Sequence, residues 1–193
     1  MTPPVLGLIG AIGGGKSTAA AHLAARGGHV LDADRIGHVV LDEPAIQARL
    51  AALWGGRVIV DGRTSRKAVS EIVFNDPAAR TSLETLMFPA IEARCRVEIA
   101  SSAAPFIVLD AAVMLEAGWT LYDKLLYIDA PYSIRLLRVQ SRGWNAADLA
   151  AREAAQWPAE KKRSVASAVI VNDGTRAQYQ QSLDRQLAEW GWI

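Results

Sequence analysis

A short apolar run, Val5-Leu-Gly-Leu-Ile9, leads straight into Gly10-Ala-Ile-Gly-Gly-Gly-Lys16-Ser17, and a stretch of small, helix-forming residues continues from Ser17 to Ala25. Few backbones accommodate that order. The run is continuous rather than alternating, as in a strand buried on both faces. The glycines allow a tight bend into a helix, which Gly27 and Gly28 then stop. The spacing GxxxxGK[ST] lets the N–H groups of such a bend face a phosphate, while the positive end of the following helix adds to the attraction. Lys16 then reaches the β and γ phosphates, and Ser17 offers its hydroxyl to Mg²⁺. A glycine-rich turn with an incidental lysine requires neither the flanking strand nor the flanking helix, so the context favours a nucleoside triphosphate.

Four further apolar runs, His29–Leu31, Phe106–Leu109, Leu125–Ile128 and Ala168–Val171, alternate with longer helical patterns. That alternation predicts a five-stranded parallel sheet with helices on its faces. Between the second and third runs lies a stretch of about 70 residues, far more than a single crossover helix needs. Helices are expected there over Pro44–Trp54 and Ser65–Phe74, with a third after a turn at Asn75, Asp76 and Pro77. In that third helix Leu83, Leu86, Met87, Ala90 and Ile91 share an apolar face, and Pro89 is expected to kink it. The stretch, about 40–104, reads as a helical insert. Beyond the fourth strand the pattern predicts helices over Pro131–Arg142, Asn145–Gln156 and Thr175–Trp190.

A chain of 193 residues fits one domain with an insertion, and its 51% hydrophobic content supports a real core. Twenty-one Lys and Arg against twenty Asp and Glu leave a formal charge of +1. Such a balance advertises neither nucleic acid nor an anionic membrane as partner, so anion binding has to be local. No uncharged apolar run reaches the roughly 18 residues of a membrane span. The lone Cys95 has no intrachain partner, and the opening MTPPVLGLIG lacks a basic secretion signal. A soluble protein of a reducing cytoplasm, monomeric or a small homo-oligomer, is expected.

Ligands of an open parallel sheet bind beyond the carboxyl ends of its strands. The second strand runs into Asp32-Ala-Asp34, where a carboxylate can take the proton of an attacking hydroxyl; capping of the next helix is the alternative for both residues. Asp110 ends the third strand and is placed either to hold Mg²⁺ through water or to cap. Glu116, one turn on, faces a substrate or stands on an exposed helix. Arg135, Arg138 and Arg142, spaced by three and four, share a helical face that either closes over a triphosphate or is simply solvated. His38, at a helix start, is open to a structural reading as well as a substrate contact. Trp119, Trp144 and Trp157 read as packing residues ahead of adenine stackers.

Taken in order, these segments resemble the dephospho-CoA kinase family. The likeness is carried by GAIGGGKS, by Asp32-Ala-Asp34-Arg-Ile-Gly-His38, by RKAVSEIVFNDPAARTSLE with Arg66, by LDAAVMLEAG, by APYSIRLLRVQSR, by AAQWP and by VIVNDG. The resemblance implies a P-loop NTPase fold: three layers, α/β/α, around a five-stranded parallel sheet, with an inserted helical substrate subdomain and a helical lid at about 131–160. It implies ATP and Mg²⁺ as cofactors and dephospho-CoA as the small-molecule substrate. In that reading Asp34 is the general base, and Lys16 and Ser17 serve the phosphates and the metal. Ala11, Gly13, Gly14, Gly15 and Thr18 complete the cradle, while Arg138 and Arg142 belong to the lid. Asn172 and Gly174 lie by the adenine, and His38, Arg66 and Glu116 attend the acceptor.

Several positions depart from the family pattern, among them Ala11, Gly14, Ser65, Phe88, Ala112 to Met114, Arg135 and Ser167. Two rival readings stand beside the resemblance. One is another small-molecule P-loop kinase, acting on a nucleoside, sugar or shikimate-like acceptor. The other is a catalytically weak nucleotide-binding relative. A GTPase switch is disfavoured because no NKxD signature occurs.

Overall fold

The computed structural model describes residues 2–193. The chain opens with strand β1 (Val5–Gly10), helix α1 (Lys16–Ala25) and strand β2 (His29–Asp32). Helices α2 (Ala33–Val40) and α3 (Pro44–Trp54) follow, then a 3-10 turn and two short strands, β3 (Ile59–Val60) and β4 (Arg63–Thr64). Helices α4 (Arg66–Asn75) and α5 (Pro77–Ser101) lead to strands β5 (Ile107–Asp110) and β6 (Lys124–Asp129). Three helices, α6 (Tyr132–Gln140), α7 (Ala146–Ala154) and α8 (Ala159–Val165), precede strand β7 (Ala168–Val171) and helix α9 (Arg176–Glu189).

The main sheet is parallel throughout, in the order β2-β5-β1-β6-β7. Every strand expected from the apolar runs is present, each within a residue of its expected ends. Leu6, Leu8, Val108, Leu126 and Ile128 pack with Ala19 and Leu23 of α1 and with Tyr179, Leu183 and Leu187 of α9. Trp190 and Trp192 seal that layer, with the Trp192 ring 6.1 Å from Phe106 and 5.4 Å from Trp190. One hydrophobic cluster therefore joins the sheet to the α1–α9 layer. No helix among the described residues is long and apolar enough to cross a membrane.

Two compact units emerge, one comprising the segments up to Asp32 and from Glu98 onward, the other Ala33–Val97. The second unit holds α2, α3, α4, most of α5 and an antiparallel β3-β4 hairpin that the apolar pattern did not reveal. The hairpin is two residues per strand, too short to show an alternation, and its turn uses Gly62 at φ 74° beside Asp61 at φ 50°. Asp42 accepts the Thr64 N–H at 2.9 Å, tying the hairpin to the end of α2. Helix α5 runs without interruption through Pro89.

The segment after β6 departs from expectation at its end. Helix α6 stops at Gln140, because Gly143 at φ 81° turns the chain and the Trp144 N–H folds back to the Val139 carbonyl at 3.2 Å. Arg142 therefore lies beyond the helix, and only Arg135 and Arg138 share its face. A further helix, α8, occupies the stretch after Pro158, whose short, highly charged sequence carries little apolar periodicity.

Candidate active site

The sheet register brings the chemistry to one edge. Asp32 pairs with Asp110 across β2 and β5, Gly10 pairs with Ile128 across β1 and β6, and Asp129 pairs with Val171. All of these lie at the carboxyl ends of their strands, where the bend from Gly10 to Ser17 leaves the sheet.

That bend is pinned from several sides. The Ala11 N–H donates to the Ile128 carbonyl and the Gly14 N–H to the Ala11 carbonyl, both at 2.9 Å. The Arg138 guanidinium donates to the carbonyls of Gly13 (3.1 Å), Gly14 (3.0 Å) and Asn172 (3.2 Å). The buried Asn172 side-chain amide donates to the Gly14 carbonyl at 2.8 Å, and the Tyr179 hydroxyl donates to the Gly15 carbonyl at 3.3 Å. Backbone oxygens that would repel a phosphate are thus held by donors of the scaffold, which fixes the bend before any ligand arrives. Gly15 adopts φ 110°, a conformation that favours glycine. At Gly14, a departure from the family pattern, a Cβ would lie 2.9 Å from the carbonyl oxygens of both Ala11 and Ile128, so glycine is the residue that fits.

Lys16 opens α1 and its ammonium forms an ion pair with the Asp110 carboxylate. Asp110 is followed by turns rather than a helix, which sets the capping alternative aside. Ser17 and Thr18 line a cavity of about 560 Å³ together with Gly13, Gly15, Arg138, Arg142, Asn172, Gly174, Arg176 and Tyr179. A cavity of that size accommodates a nucleoside. It gathers the residues expected for the nucleotide except Ala11, Gly14 and Lys16, which lie in the same bend. Arg176 and Tyr179 were not singled out in the sequence: Tyr179 sits on the apolar face of α9 and reads there as core. Burial pushes its phenol well above the usual tyrosine range, the nearby Arg138 only partly opposing, so the group is a neutral hydroxyl.

The acceptor-side residues fall differently. Asp34 stands in the first turn of α2, two residues past the end of β2, and is exposed; His38 follows one turn later on the same face, also exposed. Ala33, Ile36, Gly37 and Val40 occupy the buried side of that helix. Arg66 is the first residue of α4, whose Ser65 cap accepts the Ala68 N–H at 3.3 Å. Ser65, a departure from the family pattern, therefore performs a cap. These residues belong to the Ala33–Val97 unit.

Glu116 sits in the turns after β5, not on a helix. One carboxylate oxygen accepts the Trp157 N–H at 2.8 Å and lies 3.8 Å from the Lys162 ammonium, while the other is buried without a partner. A second cavity, of about 440 Å³, adjoins Ala11 and Ile12 and is walled by Tyr127, Arg135, Gln156, Trp157 and Lys162 among others. Arg135 there pairs with Glu153 and also donates to the Ala130 carbonyl at 3.0 Å. Burial, aided by the Asp129 charge, pushes the Tyr127 phenol up to about 12. The tryptophans behave as packing residues: Trp119 is buried, Trp144 lies under Arg152 and Trp157 under Lys161.

The chain is similar to known proteins along most of its length. The family model described as dephospho-CoA kinase matches residues 4–178. A dephospho-CoA kinase from Aromatoleum aromaticum is 35% identical over 192 residues, covering 96% of this chain and 93% of its own. A crystal structure from Thermus thermophilus superposes with TM-score 0.84 at 33% identity, covering 98% of both chains. A shikimate kinase from Acinetobacter baumannii shares the fold alone, at TM-score 0.50 and 17% identity over 97% of this chain and 95% of that one.

Proposed function

Because the chain belongs to the dephospho-CoA kinase family, we propose that its pinned phosphate loop serves transfer of the ATP γ-phosphoryl group to the 3′-hydroxyl of dephospho-CoA. The products are coenzyme A and ADP. The observation that carries the reading is the joint arrangement of Arg138, Asn172 and Tyr179 on the loop carbonyls, with Lys16 set against Asp110 at its mouth. Phosphoryl transfer is catalysed chiefly by position and charge stabilisation, and a rigid cradle supplies both.

The 560 Å³ cavity takes the nucleoside of ATP, with Asn172 and Gly174 beside the base and Arg142 closing from the lid. Lys16 leaves its ion pair with Asp110 to meet the β and γ phosphates. Asp34 accepts the proton of the 3′-hydroxyl while that oxygen bonds to the γ phosphorus and the bond from phosphorus to the β-γ bridging oxygen breaks, the electron pair leaving on ADP. His38 and Arg66, in the Ala33–Val97 unit, hold dephospho-CoA.

Ser17 and Asp110 are the residues that would hold Mg²⁺. No cluster of three or more His, Cys, Asp or Glu ligands occurs among the described residues, and the cation in question needs none. It retains waters and takes phosphate oxygens, so a hydroxyl and a single carboxylate beside the phosphate-loop lysine suit it. When bound, it neutralises charge on the β and γ phosphates.

The experiment is direct. Purified protein with Mg-ATP and dephospho-CoA should yield coenzyme A by mass spectrometry, with nucleoside, sugar and shikimate acceptors left unchanged. Transfer to one of those acceptors in preference to dephospho-CoA would sink the reading.

A further inference from the structure

Lys161, Lys162 and Arg163 are consecutive cations in α8, yet they are disposed in three different ways. Lys161 lies over the Trp157 ring, its ammonium 3.3 Å from the ring centre, and Arg163 pairs with Asp129. Lys162 turns inward and is only 5% exposed, the one lysine buried among the described residues. It forms a wall of the 440 Å³ cavity that adjoins Ala11 and Ile12 of the phosphate loop.

Its charge is compensated in part, by an ion pair with Glu116 at 3.8 Å. Gln156, a neutral acceptor, takes one hydrogen bond at 2.7 Å. The nearest Glu116 oxygen stands 3.8 Å away, outside hydrogen-bond range, and is already committed to the Trp157 N–H. The second Glu116 oxygen is buried with no partner. Arg135 and Arg163, the other cations of this cavity, are each held by a carboxylate. A buried ammonium whose one counter-ion, Glu116, stands at 3.8 Å is costly to maintain, and it has donors to spare. Burial lowers its pKa, Glu116 resists, and the charge of Lys16 lowers it further, so the two ammonium groups repel each other. An anion between them would offset that repulsion.

We infer that Lys162 is a second ammonium group of the phosphate site, contacting the terminal phosphoryl group of ATP from the Ala11–Ile12 side of the loop, with Gln156 and Glu116 as the residues that position it. The nucleoside cavity lies along Gly13, Gly15, Ser17 and Thr18, so the Ala11–Ile12 side is where the phosphate chain ends and the group in transfer sits. This inference rests on the kinase reading above. It adds a catalytic contact to it.

The test separates a phosphoryl contact from a structural one by comparing two nucleotides that differ only in the terminal group. Lys162→Met and the parent are titrated calorimetrically with Mg-ADP and with the non-hydrolysable β,γ-imido analogue of ATP. The variant should bind ADP within about twofold of the parent but the analogue about tenfold more weakly, the worth of one charge-assisted hydrogen bond. Its turnover should fall at least about 100-fold. Equal losses for the two nucleotides, or no loss for either, would overturn the assignment. Should Lys162→Met unfold, Lys162→Gln is read by the same ratio. Failure of the parent to phosphorylate any acceptor strikes the underlying function, whereas coenzyme A formation with an unchanged nucleotide ratio strikes Lys162 alone.

Discussion

Asn172, at the end of the last strand, donates its side-chain amide to the Gly14 carbonyl at 2.8 Å, a bond across 158 residues of sequence. The same amide nitrogen stands 2.2 Å from where a Cβ on Gly15 would be. One side chain thus both secures the phosphate loop and demands that its neighbour have none. Gly15→Ala should displace Asn172 as well as strain a backbone at φ 110°. The expected result is loss of measurable ATP binding by calorimetry, and a melting temperature several degrees lower, given roughly 1 to 3 kcal/mol of strain. An alanine variant with parental affinity would show that the loop is not held as described.

Arg138 meets three carbonyls at once, those of Gly13, Gly14 and Asn172. A planar guanidinium can span them, whereas an ammonium presents a single point. Arg138→Lys should therefore behave as a loss rather than a conservative change, weakening ATP and ADP alike by about tenfold. Equal weakening is the informative part, because Arg138 acts on the loop and not on the terminal phosphate. Selective loss of ATP binding would contradict that role.

Asp34 lies exposed in the first turn of α2, where it can be neutralised without unfolding the helix. As general base, Asp34→Asn should leave ATP affinity nearly intact and lower kcat at least about 100-fold. Steady-state rates together with a nucleotide titration check both halves. Near-parental turnover would remove Asp34 from the mechanism.

The α1–α9 layer carries its own titratable tie. His22 meets Asp184 at 2.7 Å, and Arg26 donates to the same carboxylate through Nε at 2.8 Å. Partial burial alone pushes the Asp184 carboxyl up, but the hydrogen bonds from Arg26 and His22 outweigh it and hold the group below the usual carboxylate range. Its folded value is thus lower than its unfolded one, so the pairing stabilises above the ordinary carboxylate pKa and is lost as pH falls through the depressed value. Asp184→Asn should unfold at lower denaturant than the parent at pH 7, and the gap should narrow below roughly pH 4. A gap that widened on acidification would reverse the sign of the argument.

The local code of the chain determined the strands, the phosphate loop and the fold class. Continuous apolar runs specify buried parallel strands by hydrophobicity alone, and the GxxxxGK[ST] spacing specifies a backbone shape by sterics. Both signals act over a few residues. The β3-β4 hairpin and helix α8 escaped because two-residue strands and a seven-residue charged helix carry no usable period. Arg138 and Asn172 were legible as site residues, but their partners were not, since the loop carbonyls they hold lie more than a hundred residues away. Tyr179 looked like core because it is core, and only the approach of α9 to the loop gives its hydroxyl a second task. Lys162 lay within a run of charges that reads as solvated, and only packing decided which of the three would be buried. The sequence alone settles what local sterics and hydrophobic period can encode. Which distant donors close on the loop, and which charge is buried beside it, depends on contacts that exist only once the sheet has assembled.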